Sequence, residues 1–386
     1  MANYDYEIVN GRKIRVRPKE TVSEIDKNGY FRRQPNHFTT LFGDGENDLK
    51  AEGNKRYRLV WAKLCHWSNR AAIVRELEGL EDQISVNMVE HAPHEKNLGW
   101  EYVYNENNID PVLGDQFLSE AYYRADDDYQ GRTTVPALID TTTGKVVNND
   151  YNWLTTYFEV NFRPWHKKGV PELYPVELRE EIDKMNLWLF DNINNAVYRS
   201  SFSRSNEGHF DGVNTFYAAM DRLEKRLETN RFLFGDYVTD SDIRLYVTLA
   251  RLDIRYTAQL GETKRPLYTY KNLWGYAKEL WEIPAFAHHT DFAAIIRQGR
   301  IEGEKDGFRA STHYDLALPK IDWDAQWKVS TERAYLSSDP THPIYLGNNR
   351  RFYIDPTWYD LGAESPKKEE RSEERRVGKE CRSRWS

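Results

Sequence analysis

An apolar strand that runs directly into a helix, with a cysteine where the two meet, constrains the fold of this chain most strongly. Residues 58–62 (RLVWA) predict a short strand, and residues 71–78 are helix formers with apolar positions at helical spacing. Cys65 lies in the segment that opens this helix, where unpaired backbone N–H groups and the helix dipole favour a thiolate over a thiol. A lone cysteine is usually a buried structural residue, but this position favours a reactive thiol.

Composition and charge narrow the classes of function. The 386 residues carry a net charge of -7, which argues against nucleic acid as the main partner. No apolar run approaches the roughly 20 residues that cross a bilayer, and the first residues lack a signal-peptide pattern. The two cysteines, Cys65 and Cys381, lie too far apart to build a disulfide framework, which fits a reducing compartment. We therefore expect a cytoplasmic protein that binds neither nucleic acid nor membranes.

Changes in composition divide the chain into five parts. A polar, turn-rich stretch is followed by alternating strand and helix patterns and then by helical patterns alone. The last residues are dense in mixed charge without apolar periodicity, which predicts a disordered or artefactual tail. The predicted parts are an N-terminal extension (1–54), an α/β domain (55–160), an all-α domain (172–302), a C-terminal extension (303–365) and the tail (366–386).

Local patterns place further elements within the two domains. In the all-α domain, Thr239 is followed three residues later by Asp242, which predicts a capping box at the start of a central helix. The other elements expected are a strand at 84–89, a short helix at 117–123 and a strand pair at 135–140 and 145–148.

This layout resembles that of the glutathione transferases. Three local matches carry the resemblance: Cys65 with Trp67 and Arg70 on the opening helix, the segment Thr134-Val135-Pro136, and residues 239–245. Further segments are similar to the Xi class, the glutathionyl-hydroquinone reductases; they are residues 194–198, 242–245 and 251–253, with the extensions at both ends. The resemblance implies a thioredoxin-like α/β N-terminal domain, an all-α C-terminal transferase domain, and N- and C-terminal extensions.

The resemblance also implies a reaction at sulfur. In this family a cysteine thiolate attacks the glutathionyl sulfur of an S-glutathionyl hydroquinone, and a second thiol resolves the mixed disulfide. Cys65 would be that nucleophile, and Tyr198 would donate a hydrogen bond to the quinol oxygen and stabilise the developing charge. Because Cys65-x-x-Ser68 has no resolving cysteine, an external thiol is needed. Glutathione or another low-molecular-weight thiol would be the cosubstrate, with no bound cofactor or metal, and the family's members form homodimers.

The thiol-binding cleft follows from the same resemblance. Trp67 and Arg70 would shape the cleft beside the nucleophile. Pro136 would form the cis peptide bond that faces the cysteine, and the backbone at Val135 would pair with the thiol peptide.

Three positions depart from the family pattern. His66 stands where the family has proline, and its imidazole would either form an ion pair with the thiolate or point to solvent. Asp150 and Tyr151 align with the Glu-Ser pair that holds the γ-glutamyl group, so a carboxylate is kept and a short hydroxyl is lost. Residues 298–300 replace a tyrosine pair over the substrate ring. These changes leave open a thiol other than glutathione.

Other functions remain open at the level of sequence. One is a transferase-like scaffold that binds without catalysis, and another is a monothiol, glutaredoxin-like oxidoreductase that acts on protein mixed disulfides. Histidines at 91–94 and 288–289 lack the helical spacing and third ligand of a metal site, which favours surface loops. No glycine-rich phosphate loop follows a strand, so nucleotide binding has no support.

Overall fold

The computed structural model of the protein describes residues 4–17, 23–91, 98–261, 265–296, 321–341 and 343–344. The predicted tail, 366–386, and most of the predicted C-terminal extension therefore lie outside the described residues. Within the described ranges, no helix is both long enough and apolar enough to span a membrane.

The N-terminal extension begins with a two-stranded antiparallel hairpin. Its strands are β1 (Tyr6–Val9) and β2 (Arg12–Arg15). Asn10 and Gly11 make the turn between them at positive φ, a conformation that asparagine and glycine adopt most readily. Arg12 pairs with Glu120 at 3.0 Å, which fastens the hairpin to the α/β domain.

A four-stranded mixed sheet forms the centre of the α/β domain. Its strands, in the spatial order β4-β3-β7-β8, are β3 (Tyr57–Trp61), β4 (Ile84–Met88), β7 (Ala137–Asp140) and β8 (Lys145–Asn148). A separate ribbon pairs β5 (Glu90–His91) with β6 (Trp100–Glu101). Strand β4 runs parallel to β3, β7 runs antiparallel to β3, and β8 runs antiparallel to β7. All five residues of β3 are buried, as expected for a central strand.

Three helices complete this domain. They are α1 (His66–Leu77), α2 (Leu118–Ala125) and α3 (Leu154–Val160). Helix α1 connects the parallel strands β3 and β4, which is the βαβ unit that the strand–cysteine–helix pattern predicts. Every residue of α1 except Glu76 is buried. The helix is therefore covered on more than its sheet-facing side.

The second domain is helical. Its helices are α4 (Arg179–Leu189), α5 (Ala196–Phe202), α6 (Asn206–Arg226), α7 (Asp240–Arg251), α8 (Thr257–Gln259), α9 (Lys271–Trp281) and α10 (Pro284–His288). Two π-helical segments, Phe190–Asn194 and Leu252–Tyr256, precede α5 and α8. Helix α7 is central, since all of its residues are buried. The capping box predicted at its start is confirmed, because Asp242 Oδ2 accepts the Thr239 backbone N–H at 2.8 Å.

Short helical pieces occupy the connections. The 3-10 turns are Glu106–Asn108, Arg163–Trp165, Val176–Leu178, Leu267–Thr269 and Ala334–Leu336, and a last short helix is Trp323–Trp327. This last part of the described chain packs on the helical domain. Arg333 Nη2 donates to the carbonyls of Leu227 and Asn230 at 2.9 and 2.8 Å, and Trp327 is only 2% exposed.

The two domains share one hydrophobic core, and α1 packs against α7 within it. Polar contacts reinforce the junction: Lys63 pairs with Asp291 at 2.7 Å, and Asn69 Nδ2 donates to the His289 carbonyl at 2.8 Å. The start of α1, which carries Cys65, therefore lies between the domains.

Candidate functional site

Cys65 is the residue immediately before α1, with extended backbone angles. Its carbonyl accepts the Asn69 backbone N–H at 2.9 Å, so the first helical turn begins at this residue. Ser68 Oγ, one turn along, accepts the Ala62 N–H at 3.1 Å and donates to the Ala62 carbonyl at 3.3 Å, which closes the loop between β3 and the helix. The thiol is buried, with 7% of the residue exposed. The cysteine therefore lies at a helix N-terminus, as the sequence predicts.

Arg251, the last residue of α7, holds this loop from the helical domain. Its side chain is fully buried, and it donates to the carbonyls of Leu64 at 2.6 Å and Lys63 at 2.7 Å. A third bond reaches the Val247 carbonyl at 2.8 Å. The two residues that precede Cys65 are thus fixed by a guanidinium from the other domain.

The Val135–Pro136 loop lies beside the thiol. The peptide bond between these residues is cis, as the resemblance implies, and both residues are buried. Cys65 Sγ lies 3.7 Å from the Val135 carbonyl oxygen. Tyr122 Oη donates to the Thr134 carbonyl at 2.7 Å and so holds the residue before the loop. Two segments that are 70 residues apart in sequence therefore meet at the sulfur.

Trp67 and Arg70 follow the cysteine on α1, and both are buried, at 5% and 3% exposure. The Trp67 indole N–H and the Nε and Nη2 groups of Arg70 have no hydrogen-bond partner among the residues that the structure describes. Burial and then the charge of Arg244 lower the pKa of Arg70 to about 9, which still leaves a cation at neutral pH. A buried cation is costly without partners, so a bound anionic group would stabilise it.

Asp150 and Tyr151 lie next to this cleft. Asp150 is 8% exposed, and its Oδ1 accepts from Asn36 Nδ2 at 2.9 Å and from the Asn152 backbone N–H at 3.0 Å. The Tyr151 ring packs on Trp67, with centroids 4.7 Å apart. A carboxylate and an aromatic ring therefore occupy the position that aligns with the family's Glu-Ser pair.

His66 differs from both alternatives that the sequence left open. The side chain is 1% exposed, so the expectation that it points to solvent is wrong. Its Nδ1 lies 3.1 Å from both Thr248 Oγ1 and Tyr256 Oη. Burial, followed by the charges of Arg251 and Arg33, holds the pKa of His66 well below its usual value of 6.5. The ring is therefore neutral at physiological pH, which contradicts an imidazolium–thiolate ion pair.

Tyr198 reaches the site from α5. A π-helical turn, Phe190–Asn194, precedes this helix, and such turns are frequent at functional sites. The Tyr198 ring lies 5.2 Å from the His66 ring and 5.7 Å from the Trp67 ring. It packs against the apolar cluster that contains Cys65. A tyrosine from the helical domain thus faces the helix start.

Arg33, from the N-terminal extension, also enters this site. Its guanidinium lies 4.6 Å from the centre of the Trp67 ring and 4.5 Å from that of Tyr198, within cation–π distance of both. The Arg33 Nε donates to Asn195 Oδ1 at 3.1 Å. The extension therefore contributes a cation to the space between the two domains.

Known proteins match this chain in sequence and in structure. A model of the glutathione S-transferase C-terminal domain matches residues 197–279. Glutathione S-transferase omega-like 2 of Schizosaccharomyces pombe is 35% identical over 280 residues, covering 70% of this chain and 88% of that protein. Glutathionyl-hydroquinone reductase YqjG of Escherichia coli is 32% identical over 273 residues, covering 69% of this chain and 83% of that protein. Its glutathione-bound structure matches with a TM-score of 0.63, 30% identity, and coverage of 72% of this chain and 91% of that chain.

A solved Xi structure decides the class. The glutathione transferase Xi of Phanerochaete chrysosporium matches with a TM-score of 0.64 and 33% identity, covering 69% of this chain and 91% of that chain. The chain belongs to the Xi class of the glutathione transferase superfamily. The fold class predicted from the sequence, a thioredoxin-like domain joined to a helical transferase domain, is thereby confirmed.

In this Xi-class transferase, the residues singled out from the sequence converge on one place. Cys65, Trp67 and Val135 belong to one buried cluster, against which Tyr151 and Tyr198 pack. Residues 298–300, which align with the family's tyrosine pair, lie outside the described residues.

Four further residues of the transferase site were not found from the sequence. They are Arg33, Asn195, Arg251 and Tyr256. Tyr256 ends the second π-helical segment, and burial, followed by the nearby Tyr198, raises its pKa well above 10. Asn195 and Arg251 lie in the segments that are similar to the Xi class, and this similarity could have marked them as site residues. Arg33 lies in a polar extension without periodicity, where no sequence pattern marks it as a site residue.

Metal binding has no support from the described part of the transferase. No group of three or more His, Cys, Asp or Glu side chains in that part is arranged to hold a metal ion. His288 and His289 instead pair with the two carboxylate oxygens of Glu76, at 2.7 and 2.9 Å.

Proposed function

We propose that this protein is a thiol-dependent reductase that removes the thiol from S-conjugated hydroquinones, with Cys65 as the nucleophile. The observation that carries the proposal is the position of the sulfur. It lies at the start of α1, 3.7 Å from the carbonyl of the cis-proline loop, within a cluster that Tyr198 covers. Backbone N–H groups at a helix start stabilise a thiolate, which is the reactive form. The name of the YqjG relative, a glutathionyl-hydroquinone reductase, supports the same chemistry.

The reaction balances in two steps. In the first, the Cys65 thiolate bonds to the thioether sulfur, and the bond between that sulfur and the ring breaks. The ring reacts as its keto tautomer, so the electron pair of the broken carbon–sulfur bond moves into the ring and the keto oxygen becomes a phenolate. The phenolate then takes up a proton to give the hydroquinone. In the second step a thiolate attacks the Cys65 mixed disulfide and releases a disulfide. The ring gains two electrons, and the two sulfurs of the released disulfide lose them.

Tyr198 is the proposed donor to the phenolate oxygen. The tyrosine packs against the cluster of Cys65, and its ring lies 5.7 Å from that of Trp67. A donor placed where charge develops lowers the barrier because it needs no reorganisation during the reaction.

The thiol cosubstrate would lie along α1. The unpartnered Trp67 N–H and the buried guanidinium of Arg70 offer donors for a carboxylate of the thiol peptide. Asp150 retains a carboxylate beside them for an ammonium group. Glutathione carries both kinds of group, and the YqjG structure is bound to glutathione. We therefore propose glutathione, or a low-molecular-weight thiol with the same charged groups, as the cosubstrate.

A small acceptor fits the site better than a protein mixed disulfide does. Cys65 is 7% exposed, and the segment 31–38 of the N-terminal extension bonds to both domains around it. Phe38 of that segment packs against the cluster that contains Cys65, so a small conjugate has easier access to the sulfur than a glutathionylated protein has.

The test is turnover of a glutathionyl hydroquinone by Cys65→Ser and Cys381→Ser proteins, with glutathione present and hydroquinone release measured by chromatography. We expect Cys65→Ser to be inactive and Cys381→Ser to match the unsubstituted protein. Activity that survives in Cys65→Ser would refute the mechanism. Binding of the conjugate without turnover by the unsubstituted protein would favour a non-catalytic scaffold, and faster turnover of a glutathionylated protein would favour the glutaredoxin-like reaction.

A further inference from the structure

The N-terminal extension forms a strap over the site, which we define as residues 31–38. At its first end, the Phe31 backbone N–H donates to Ser203 Oγ of the helical domain at 3.1 Å. At its far end, Phe38 and Asn149 of the α/β domain exchange bonds of 3.1 and 2.8 Å. Between these ends, Asn36 bonds to Asp150. The strap is therefore bonded to both domains.

Arg33 is the cationic residue that the strap places inside the site. Its guanidinium lies 4.5 Å from the Tyr198 ring centre and 4.6 Å from that of Trp67, and Asn195 holds its Nε at 3.1 Å. The Nη2 group is buried and has no hydrogen-bond partner among the described residues. No acidic side chain in the described ranges forms an ion pair with it. A buried donor without a partner is costly, so this group is arranged to receive an acceptor atom from a bound molecule.

The surroundings of Arg33 favour an anionic acceptor atom. After burial, the causes that lower the pKa of His66 are the charges of four arginines, namely Arg251, Arg33, Arg70 and Arg255. Positive charge therefore acts at the His66 ring, which lies 5.2 Å from the Tyr198 ring. Such a field attracts an oxyanion and repels a cation.

We propose that Arg33 binds the phenolate oxygen of the departing hydroquinone and thereby determines the acceptor class: ionisable phenols that leave as oxyanions. The inference rests on the proposed reductase function. In the first step the electron pair of the broken carbon–sulfur bond moves into the ring and leaves a negative charge on the phenolate oxygen. The Arg33 Nη2–H donates to this oxygen beside the Tyr198 hydroxyl. The proton that completes the hydroquinone comes from water after release, so Arg33 stays charged throughout.

Arg32 is a matched control, because it neighbours Arg33 but points away from the site. Its side chain is 66% exposed and pairs with Asp26 at 2.9 Å. Arg32→Gln and Arg33→Gln therefore make the same change in charge on the same strap. Arg33→Lys keeps the charge and removes the planar fork.

The kinetic test uses glutathionyl hydroquinones that carry zero to three chlorine substituents, which lower the pKa of the phenol stepwise. We expect Arg33→Gln to lower kcat/KM by about 10- to 100-fold, the effect of losing one charged hydrogen bond. The loss should be largest for the least acidic phenol, so the dependence of log kcat/KM on phenol pKa becomes steeper. Arg32→Gln should match the unsubstituted enzyme, and Arg33→Lys should lie between.

A purely structural role for Arg33 would give a different result. It would lower all rates by the same factor and leave the slope unchanged, and it would also slow glutathione's attack on a preformed Cys65 mixed disulfide. Either finding, or equal activity of Arg33→Gln and Arg32→Gln, would overturn the proposal.

A binding measurement separates this inference from the proposed function. We expect 4-nitrophenolate, titrated by calorimetry, to bind the unsubstituted protein and Arg32→Gln with equal affinity and Arg33→Gln at least about 10-fold more weakly. If the unsubstituted protein does not turn over any conjugate, the reductase function fails, yet this difference in affinity would still support the anion site. Equal affinity of all three proteins would overturn the inference even if turnover is normal.

Discussion

Arg251→Met removes the guanidinium that fixes the loop before Cys65. The variant loses bonds to the carbonyls of Leu64 and Lys63 at 2.6 and 2.7 Å, and methionine retains most of the buried volume. Each carbonyl left unpaired costs about 1–3 kcal/mol. Burial lowers the pKa of Arg251, because removing its charged guanidinium from water costs free energy. Methionine carries no charge and avoids this cost, which offsets part of the loss. The expected net loss is about 2–4 kcal/mol in the free energy of unfolding.

This loss is measurable in urea by tryptophan fluorescence, because the chain has 12 tryptophans. Arg265→Met is the control, since Arg265 is 48% exposed and pairs on the surface with Asp221. Its loss should be less than about 1 kcal/mol. We also expect Arg251→Met to lower kcat/KM with the conjugate while Arg265→Met does not. Equal stability and equal activity of the two variants would refute the assignment of Arg251 as the residue that positions the nucleophile loop.

Three further substitutions test separate parts of the structure. Tyr198→Phe should lower kcat/KM with the conjugate by about 10- to 100-fold without slowing thiol attack on the Cys65 mixed disulfide; an unchanged kcat/KM would exclude the donor role. Thr239→Ala breaks the capping box with Asp242 and should lower the free energy of unfolding by about 1–2 kcal/mol in urea, whereas no loss would contradict the cap. Burial raises the pKa of Glu78 from 4.5 to about 7 against the opposing hydrogen bond of His166, so folding favours the protonated acid. The stability that this provides is present below the unfolded pKa and lost as pH rises through the folded one. The thermal midpoint should therefore fall between about pH 4.5 and pH 7, and Glu78→Gln should flatten that fall; an equally steep fall would contradict it.

The parts of the site that could be predicted from sequence are those set by short-range patterns. Cys65 follows a strand and opens a helix, and both features extend over only a few residues. The capping box at Thr239 is likewise local, and the cis bond at Pro136 was implied by a short segment that resembles the transferases. Periodicity and short motifs report such features directly.

The parts that could not be predicted depend on contacts between distant segments. His66 is buried because Thr248 and Tyr256, 182 and 190 residues away, close over it. Arg33 enters the site because Asn195, 162 residues away, holds it there. A residue's own neighbours in sequence contain no record of such partners. The charge state of His66 therefore follows only from the folded structure, through its burial and then the arginines around it.

The most direct measurement is the intact mass of the protein, quenched with acid within one turnover after mixing with a glutathionyl hydroquinone in the absence of free thiol. We predict a mass increase of one glutathionyl group, located on Cys65 by peptide mapping and removed by added glutathione. The same experiment with Cys65→Ser should give no adduct. An unmodified Cys65 after the hydroquinone has been released, or an adduct located elsewhere, would contradict the proposed mechanism.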